Sequence, residues 1–514
     1  MSAASKARDE LRRRMPALLA GQPVPGIAVG VCDATSVLWS AGFGTTREGG
    51  DEAVGADTMF GVQSCSKMYT ATAVLIAVQQ GLVELDVPIT RYLPEFRVNS
   101  AFEDHPERFI TLRHLLSHTA GFTHEAPVGS NYLVGRESFA AHCESISSTW
   151  LRFPVGHHFE YSNLGIDLAG YVLQRRSGLP FHEFVRRTVL APLGMTRTTF
   201  DPRVIARATN RALGHAAGTT RVPLRVPMVA AGGLYTTVND ACRYIQFHLT
   251  GGASLLDPAL LAEMYEVPGA PQREQGYGLG LGLARATDLP VRGHGGGGFG
   301  FLSDIHWSPE EQLGVVVLTN STNHSLQGQL SNDIFQDLVP RRPRRRGPSA
   351  QPVAVSAAAL AGEYTGRGHD PMTLTGDGTL IRNGTRHQVE FVGPLEFRVE
   401  NELFRFRDLD GAGRPAYLES SADGFVRYRN EVPPPDPAEP DGPWNRDYAI
   451  HASGVRDGTA RLRKENGVLL FDHWGGGTLR LHEHVPGIYV AANGETLDLT
   501  RTPPTYANVG LHPL

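Results

Sequence analysis

The sequence predicts an α/β domain built on an antiparallel sheet flanked by helices, with an inserted helical region, followed by antiparallel β-barrel-like domains. Three observations lead there. Strand-like segments stand at both ends of residues 1–340, and helical patterns fill the middle. The remainder is made of short, turn-rich segments that alternate polar and apolar residues. Two proline-rich stretches, VPRRPRRRGPSAQP (339–352) and NEVPPPDPAEPDGPW (430–444), separate the parts. The expected domains are therefore 1–340, 351–431 and 443–514, since 514 residues exceed one ordinary core.

Each element follows from its residues. At the N-terminus Leu11, Met15, Leu18 and Leu19 recur at helical spacing among arginines, which reads as an amphipathic helix and not as a secretory signal. IAVGVCD and SVLWSAGFG near the start, and GFLSDIHWS and LGVVVLTNS near residue 310, are β-rich runs, so both ends of the domain should feed one sheet. WSPEEQ is a polar hairpin turn between the last two. SCSKMYTATAVLIAVQQG predicts a helix from about Ser64 to Gln80, stopped by Gly81. TLRHLLSHTAG and PFHEFVRRTVLAPLG are helical patterns that each close near a glycine. Beyond residue 351, ELFRFRDLDGAGRPAYLES and ARLRKENGVLLFDHWGGGTLRLHEH share an order of strand, glycine turn, strand. They predict two small antiparallel barrels or sandwiches, with one lipocalin-like barrel interrupted by the proline loop as the alternative.

Composition narrows the function. A net charge of -5 supplies no basic face for nucleic acid. The arginines of the first linker read as a solvated connector. No apolar run approaches the ~18 residues that would span a bilayer, so no membrane partner is expected. Cys32, Cys65, Cys143 and Cys242 are scattered, with neither metal-ligand spacing nor a disulfide framework. A cytoplasmic enzyme with reduced thiols is the expectation.

Three short motifs carry chemistry. Ser64 and Lys67 lie three apart at a helix start, so both side chains share one face. A serine hydroxyl becomes a nucleophile when a neighbour takes its proton, and a lysine does so when burial brings its pKa towards neutrality. The same pair alone also fits a capping serine and a solvated lysine. In FPVGHHFEYSNLGIDLAG, Tyr161 is placed to relay a proton, and Asn163 offers a donor and an acceptor to a substrate amide. In VRGHGGGGFGFLSD, His294 precedes four glycines and a strand, where bare backbone N–H groups can face an oxyanion. A phosphate loop fits less well, because the run lacks the Gly-Lys-Ser/Thr ending.

Taken in this order, the motifs make the N-terminal domain resemble the β-lactamase-related serine hydrolases: class C β-lactamases, D,D-peptidases, D-aminopeptidases and esterases. PGIAVGVCDATSVLWSAGFG, ITLRHLLSHTAGF and AAGGLYTTVNDACRYIQF are similar to the family's framework segments, and the likeness covers nearly all of residues 20–325. The resemblance implies Ser64 as acylated nucleophile, Lys67 as its activator, Tyr161 as general acid/base and Asn163 as substrate-amide contact. His294 stands where the family has lysine or histidine, histidine being more typical of the peptidase and esterase branches. The oxyanion hole would be the backbone N–H groups of Ser64 and Gly297. Cys65 is expected to pack. No metal or organic cofactor is implied.

His114 and His118, four apart, are expected to pack and not to bind metal, and His157 and His158 to sit near the cleft rim. A catalytic domain followed by two β units looks like the D-aminopeptidase branch, in which a loop of the last unit reaches the active-site mouth. LFDHWGGGTL occupies the corresponding place, and Asp472 would hold a substrate ammonium there. The expected partner is a small-molecule or short-peptide substrate, and a homo-oligomer is compatible with the sequence. Without a signal sequence, a resistance β-lactamase or wall peptidase is disfavoured. A peptidase or amidase is expected, with an esterase or biosynthetic transacylase as the alternative.

Overall fold

The computed structural model describes residues 3–339 apart from 132–133, 136, 217–221, 269–274 and 287–288. It also describes 357–514 apart from 367–368, 383, 400–401, 421–425, 430–443, 453–455, 466–467, 475 and 492–494. All but the end residues of the two proline-rich stretches lie outside the described residues.

Seven antiparallel strands form the first sheet: β1 (Gly26–Asp33), β2 (Val37–Gly44), β3 (Gly276–Tyr277), β4 (Gly282–Ala286), β5 (Leu289–Gly298), β6 (Phe301–Ser308) and β7 (Leu313–Thr319). Their order is β2-β1-β7-β6-β5-β4-β3, so the two ends of the domain meet at β1 and β7, with Val29 opposite Val317. Residues 309–312 form the turn between β6 and β7.

The central strands β1 and β7 are buried on both faces, and their period of two decides which side chain goes where. Ile27, Val29 and Val31 pack with Met15, Leu330 and Phe335 from the helices Ala3–Ala20 and Leu326–Leu338. Arg14 and Asp333 pair across these two helices at 3.1 Å. Ala28 and Cys32 face the other side, against the helical insertion. At its centre runs the helix Ser66–Gln79, apolar on every side and buried from Ser66 to Ala77. A helix without a polar face has to sit inside.

Local geometry differs from the expected helices in three places. The turn at the nucleophile, Gln63–Cys65, is 3-10, and the α-helix begins only at Ser66. The helix of TLRHLL is confined to Leu112–Leu116, so His118 lies beyond it with a φ of 58°. Phe181–Val185 continues as a π-helical turn, Arg186–Leu190.

The C-terminal residues form two units with separate cores, not one interrupted barrel. Nine antiparallel strands between Gly362 and Arg429 enclose Tyr364, Phe397, Phe404, Phe406 and Leu418. This sheet is an open run and not a closed barrel. Its two edges are the consecutive strands Thr385–Gln388 and Glu390–Gly393, so the single residue Val389 between them forces the sheet to curl. Eight further strands, Arg446 to Pro513, close into a barrel around Tyr448, Leu462, Phe471, Tyr506 and Leu511.

Both units touch the first domain. The His158 ring lies tilted against Tyr417, centroids 4.4 Å apart, which places it at a domain contact and not at the cleft rim. From the barrel, the Ala491 carbonyl accepts from Arg152 Nη2 (3.4 Å), and Asn508 Nδ2 donates to the Glu125 carbonyl (3.0 Å). No described helix is long and apolar enough to cross a membrane.

Candidate active site

The cleft opens where the 3-10 turn leaves the strand Phe60–Gly61. Gln63 has a φ of 47°, a left-handed backbone that strains a residue with a Cβ. That kink leaves the Ser64 side chain half-buried in the cleft while its neighbours turn inward. Ser66 Oγ accepts from the Leu234 N–H at 3.0 Å. Cys65 Sγ donates to the His294 carbonyl at 2.9 Å, and burial pushes its thiol up to about 12. Cys65 is therefore a packing residue.

Lys67, one turn on, is completely buried. Its Nζ lies 3.1 Å from Ser64 Oγ, 2.8 Å from Asn163 Oδ1 and 2.9 Å from the Ala231 carbonyl. The Tyr161 ring covers it, with Nζ 4.8 Å from the ring centroid. Asn163 opens the helix Asn163–Ser177, capped by Ser162, whose Oγ accepts from the Leu164 N–H and donates to the Thr123 carbonyl. The middle residue of the YSN motif is thus a helix cap that fixes its two neighbours.

Because the amide oxygen of Asn163 faces Lys67, its Nδ2 donates to His124 Nε2 (3.1 Å). His124 Nδ1–H then donates to Glu125 Oε1 (2.7 Å). A line of hydrogen bonds so runs from Lys67 to a buried carboxylate. Burial opposes ionisation of Glu125, but His124 and two hydrogen bonds from Asn131 outweigh it and hold its pKa below the usual range. The barrel adds a second buried carboxylate, Glu495, 3.6 Å from His124 Nδ1. These three are the metal-ligand-type cluster found among the described residues. Its atoms are committed: Nδ1 carries the proton given to Glu125, and both Glu125 oxygens accept from Asn131.

His294 lies on β5. Its Nδ1–H donates to the Gly295 carbonyl, so Nε2 accepts from Tyr277 O–H at 2.9 Å. Enclosure by protein and the charge of Lys67 push its pKa down to about 3, so it is a neutral group at physiological pH. Gly297, three residues on, lines the cleft with Ser64. The glycine run also has a packing reason. A Cβ on Gly296 would lie 2.2 Å from the Val62 carbonyl oxygen, so only a bare backbone lets β5 pass this close to the nucleophile turn.

The structure therefore gathers Ser64, Lys67, Tyr161, Asn163, His294 and Gly297 about one cleft of about 220 Å3. It does not bring Asp472 there. That carboxylate is held by Arg463 at 2.6 Å and by Thr478 at 2.7 Å, and Arg463 keeps it below the usual carboxylate range. The expected ammonium role of Asp472 is accordingly corrected. An arginine one strand away, facing the same side of the barrel wall, claims it. The acidic residue that the barrel delivers is Glu495. Tyr277, His124 and Glu125 lie outside the three motifs; HE at 124–125 stands just beyond the SHTAGF segment, and Tyr277 sits in a glycine-rich GYGLGLG run. Nothing in the local sequence marks Glu495. His114 and His118 do not pair on a helix: His114 Nδ1 serves the Thr111 cap and His118 Nδ1 accepts from the Ser162 N–H. A larger, apolar cavity of about 400 Å3, lined by Phe139, Phe181 and Phe200, lies behind residues 226–233 and excludes Ser64.

The family model described as Beta-lactamase matches residues 11–333. The chain is 26% identical over 249 residues to the D-alanyl-D-alanine-carboxypeptidase/endopeptidase AmpH of Escherichia coli K12, covering 48% of this chain and 62% of that protein. It thus spans less than two thirds of the first curated relatives that it matches. It is 35% identical over 150 residues to Esterase EstB of Burkholderia gladioli, covering 27% and 38%. The D-amino acid amidase of Ochrobactrum anthropi SV3, solved with D-phenylalanine, superposes with a TM-score of 0.53 at 22% identity, over 65% of this chain and 97% of that one, a likeness of fold.

Proposed function

The chain belongs to the beta-lactamase family of serine hydrolases, and on that premise we propose that it is a D-aminopeptidase-like peptidase or amidase. It cleaves short substrates that carry a free α-amino group, through an acyl ester on Ser64. Lys67 in its neutral form takes the Ser64 proton across the 3.1 Å contact as Oγ attacks the substrate carbonyl. The backbone N–H groups of Ser64 and Gly297 stabilise the oxyanion. Tyr161 passes the proton to the leaving amine and later takes one from the water that hydrolyses the ester. Asn163 orients both Lys67 and the substrate amide. His294, neutral and held by Tyr277, contributes hydrogen bonding without charge.

One observation carries the choice of a free-amine substrate. Two buried carboxylates, Glu125 and the barrel's Glu495, stand behind His124 at the cleft wall. In a poorly solvated site such charge favours a cation such as an α-ammonium. The amidase relative solved with a D-amino acid is in keeping with this.

The test is turnover of D- and L-alanine p-nitroanilides, each with free and acetylated amine, by wild type, Ser64→Ala and Glu495→Gln. We expect Ser64-dependent turnover of the free D-form, with a preference over the acetylated form that Glu495→Gln reduces at least tenfold. Turnover surviving in Ser64→Ala refutes the mechanism. Ser64-dependent cleavage of nitrophenyl esters with no amide turnover moves the protein to the esterase or transacylase reading, which the EstB relative favours.

A further inference from the structure

We propose that His142 and Asp167 are positioning residues: a buried ion pair that fastens both walls of the cleft to the helix Asn163–Ser177 and so holds the carbonyl that orients Lys67. The inference rests on the reading of Lys67 as the activator of Ser64.

Asp167 follows Asn163 by four residues, so the two side chains leave the same helix face. Its carboxylate is wholly buried, and Oδ1 accepts from the backbone N–H groups of Ala230 (2.9 Å) and Ala231 (3.1 Å). The carbonyls of the same two residues point the other way. Ala231 accepts from Lys67 Nζ at 2.9 Å, and Ala230 from Thr70 Oγ1 at 2.7 Å. The one-turn segment Val229–Gly232 is thus gripped from behind by Asp167 and presents its carbonyls to the nucleophile helix.

The second oxygen of Asp167 faces His142 Nε2 at 3.2 Å, and His142 Nδ1 lies 2.7 Å from the Val128 carbonyl. A carboxylate and a carbonyl only accept, so both ring nitrogens donate and the ring is an imidazolium. Burial opposes that charge, but Asp167 and the carbonyls of Val128 and Gly129 outweigh it and raise the His142 pKa. Val128 belongs to the loop that carries His124, Glu125 and Asn131. One ion pair therefore ties this loop and the segment 226–233, the two cleft walls, to a single helix.

A buried ion pair is a poor source of net stability, because desolvation offsets most of the attraction. Its geometric consequence is specific, since its bonds run from the helix that carries Asn163 to Ala231, whose carbonyl contacts Lys67. Helix and segment approach closely at Gly170, where a Cβ would lie 2.6 Å from the Ala230 Cβ.

Fluorophosphonate labelling of Ser64, followed as a rate against pH, tests the idea. Labelling of wild type and none of Ser64→Ala establishes the underlying reading; labelling of Ser64→Ala would sink that reading separately. Asp167→Asn keeps volume but puts a neutral amide where the carboxylate was, so it dissolves the ion pair and loosens the charge-assisted hold on the two N–H groups. Gly170→Ala pushes on Ala230 without changing any charge. In both, loss of the Ala231 carbonyl destabilises the ammonium form of Lys67. We expect misorientation of Lys67 to lower the plateau rate above the acid limb at least tenfold, the lost acceptor to move that limb at least half a pH unit lower, and saturation by the label to be unchanged. A rate within twofold of wild type overturns the proposal. So does a fall in rate with an unmoved acid limb, which is what mere loss of stability would give. Where Asp167→Asn is not recovered folded, His142→Gln and Gly170→Ala decide by the same criteria.

Discussion

Replacing Gly296 by alanine probes how β5 is seated against the nucleophile. The added Cβ would meet the Val62 carbonyl oxygen at 2.2 Å and Ser303 Oγ at 2.4 Å. A relaxed C···O contact is about 3.3–3.6 Å, so strand and turn must part by roughly 1 Å. Val62 precedes Ser64 by two residues, and Gly297 supplies the adjoining N–H, so the displacement falls between the two proposed oxyanion donors. Misplacement of about 1 Å costs on the order of 10²-fold, and losing one donor about 10²–10³-fold, or roughly 3–4 kcal/mol. Overpacking adds about 1–3 kcal/mol of destabilisation. Gly295, the preceding residue, is exposed and faces the other side, its nearest neighbours 3.9 Å away. The expected result is a roughly hundredfold slower acylation burst with nitrophenyl acetate for Gly296→Ala, and rates within twofold for Gly295→Ala. Melting curves on the same samples separate unfolding from misplacement. A folded Gly296→Ala that acylates within threefold of wild type, or a Gly295→Ala that is equally damaged, would refute the seating argument.

Three further outcomes are expected. Lys67→Ala should slow acylation about 10²–10⁴-fold while leaving product binding near wild type, as measured by burst kinetics and calorimetry. Tyr277→Phe strips the donor from the half-buried His294 nitrogen, a loss of about 1 kcal/mol that urea unfolding would register. Stability should also depend on His294. Its folded pKa, about 3, lies below the ordinary 6.5, so its contribution is whole above pH 6.5 and is lost as pH falls towards 3. The slope is up to about 1.4 kcal/mol per pH unit, and urea midpoints of His294→Asn should fall less steeply than those of wild type over that range. His142, whose pKa is raised by Asp167 against burial, acts in the opposite sense. Its contribution is present below pH 6.5 and disappears as pH rises through its folded value.

Much of this was legible in the chain. Ser64 and Lys67 are neighbours on one helical turn, Tyr161 and Asn163 flank a capping serine, and His294 leads a glycine run, so residue type and spacing brought each group of side chains into view. The β-rich runs at both ends of the first domain announced a shared sheet because strands with two buried faces are continuously apolar. The partners of those motifs were not legible. Glu125 and Asp167 look like ordinary acidic residues until folding surrounds them with His124, His142 and backbone N–H groups. Asp472 looked available because a local reading cannot see Arg463 across the strand pair. Glu495 reaches the cleft wall only because the barrel docks beside residues 123–131, some 370 positions earlier in the chain. Spacing along a chain reports contacts that one helical turn or one loop can make. A contact between remote segments depends on how whole domains pack, and that information is spread over hundreds of apolar positions, none of which names its polar neighbour.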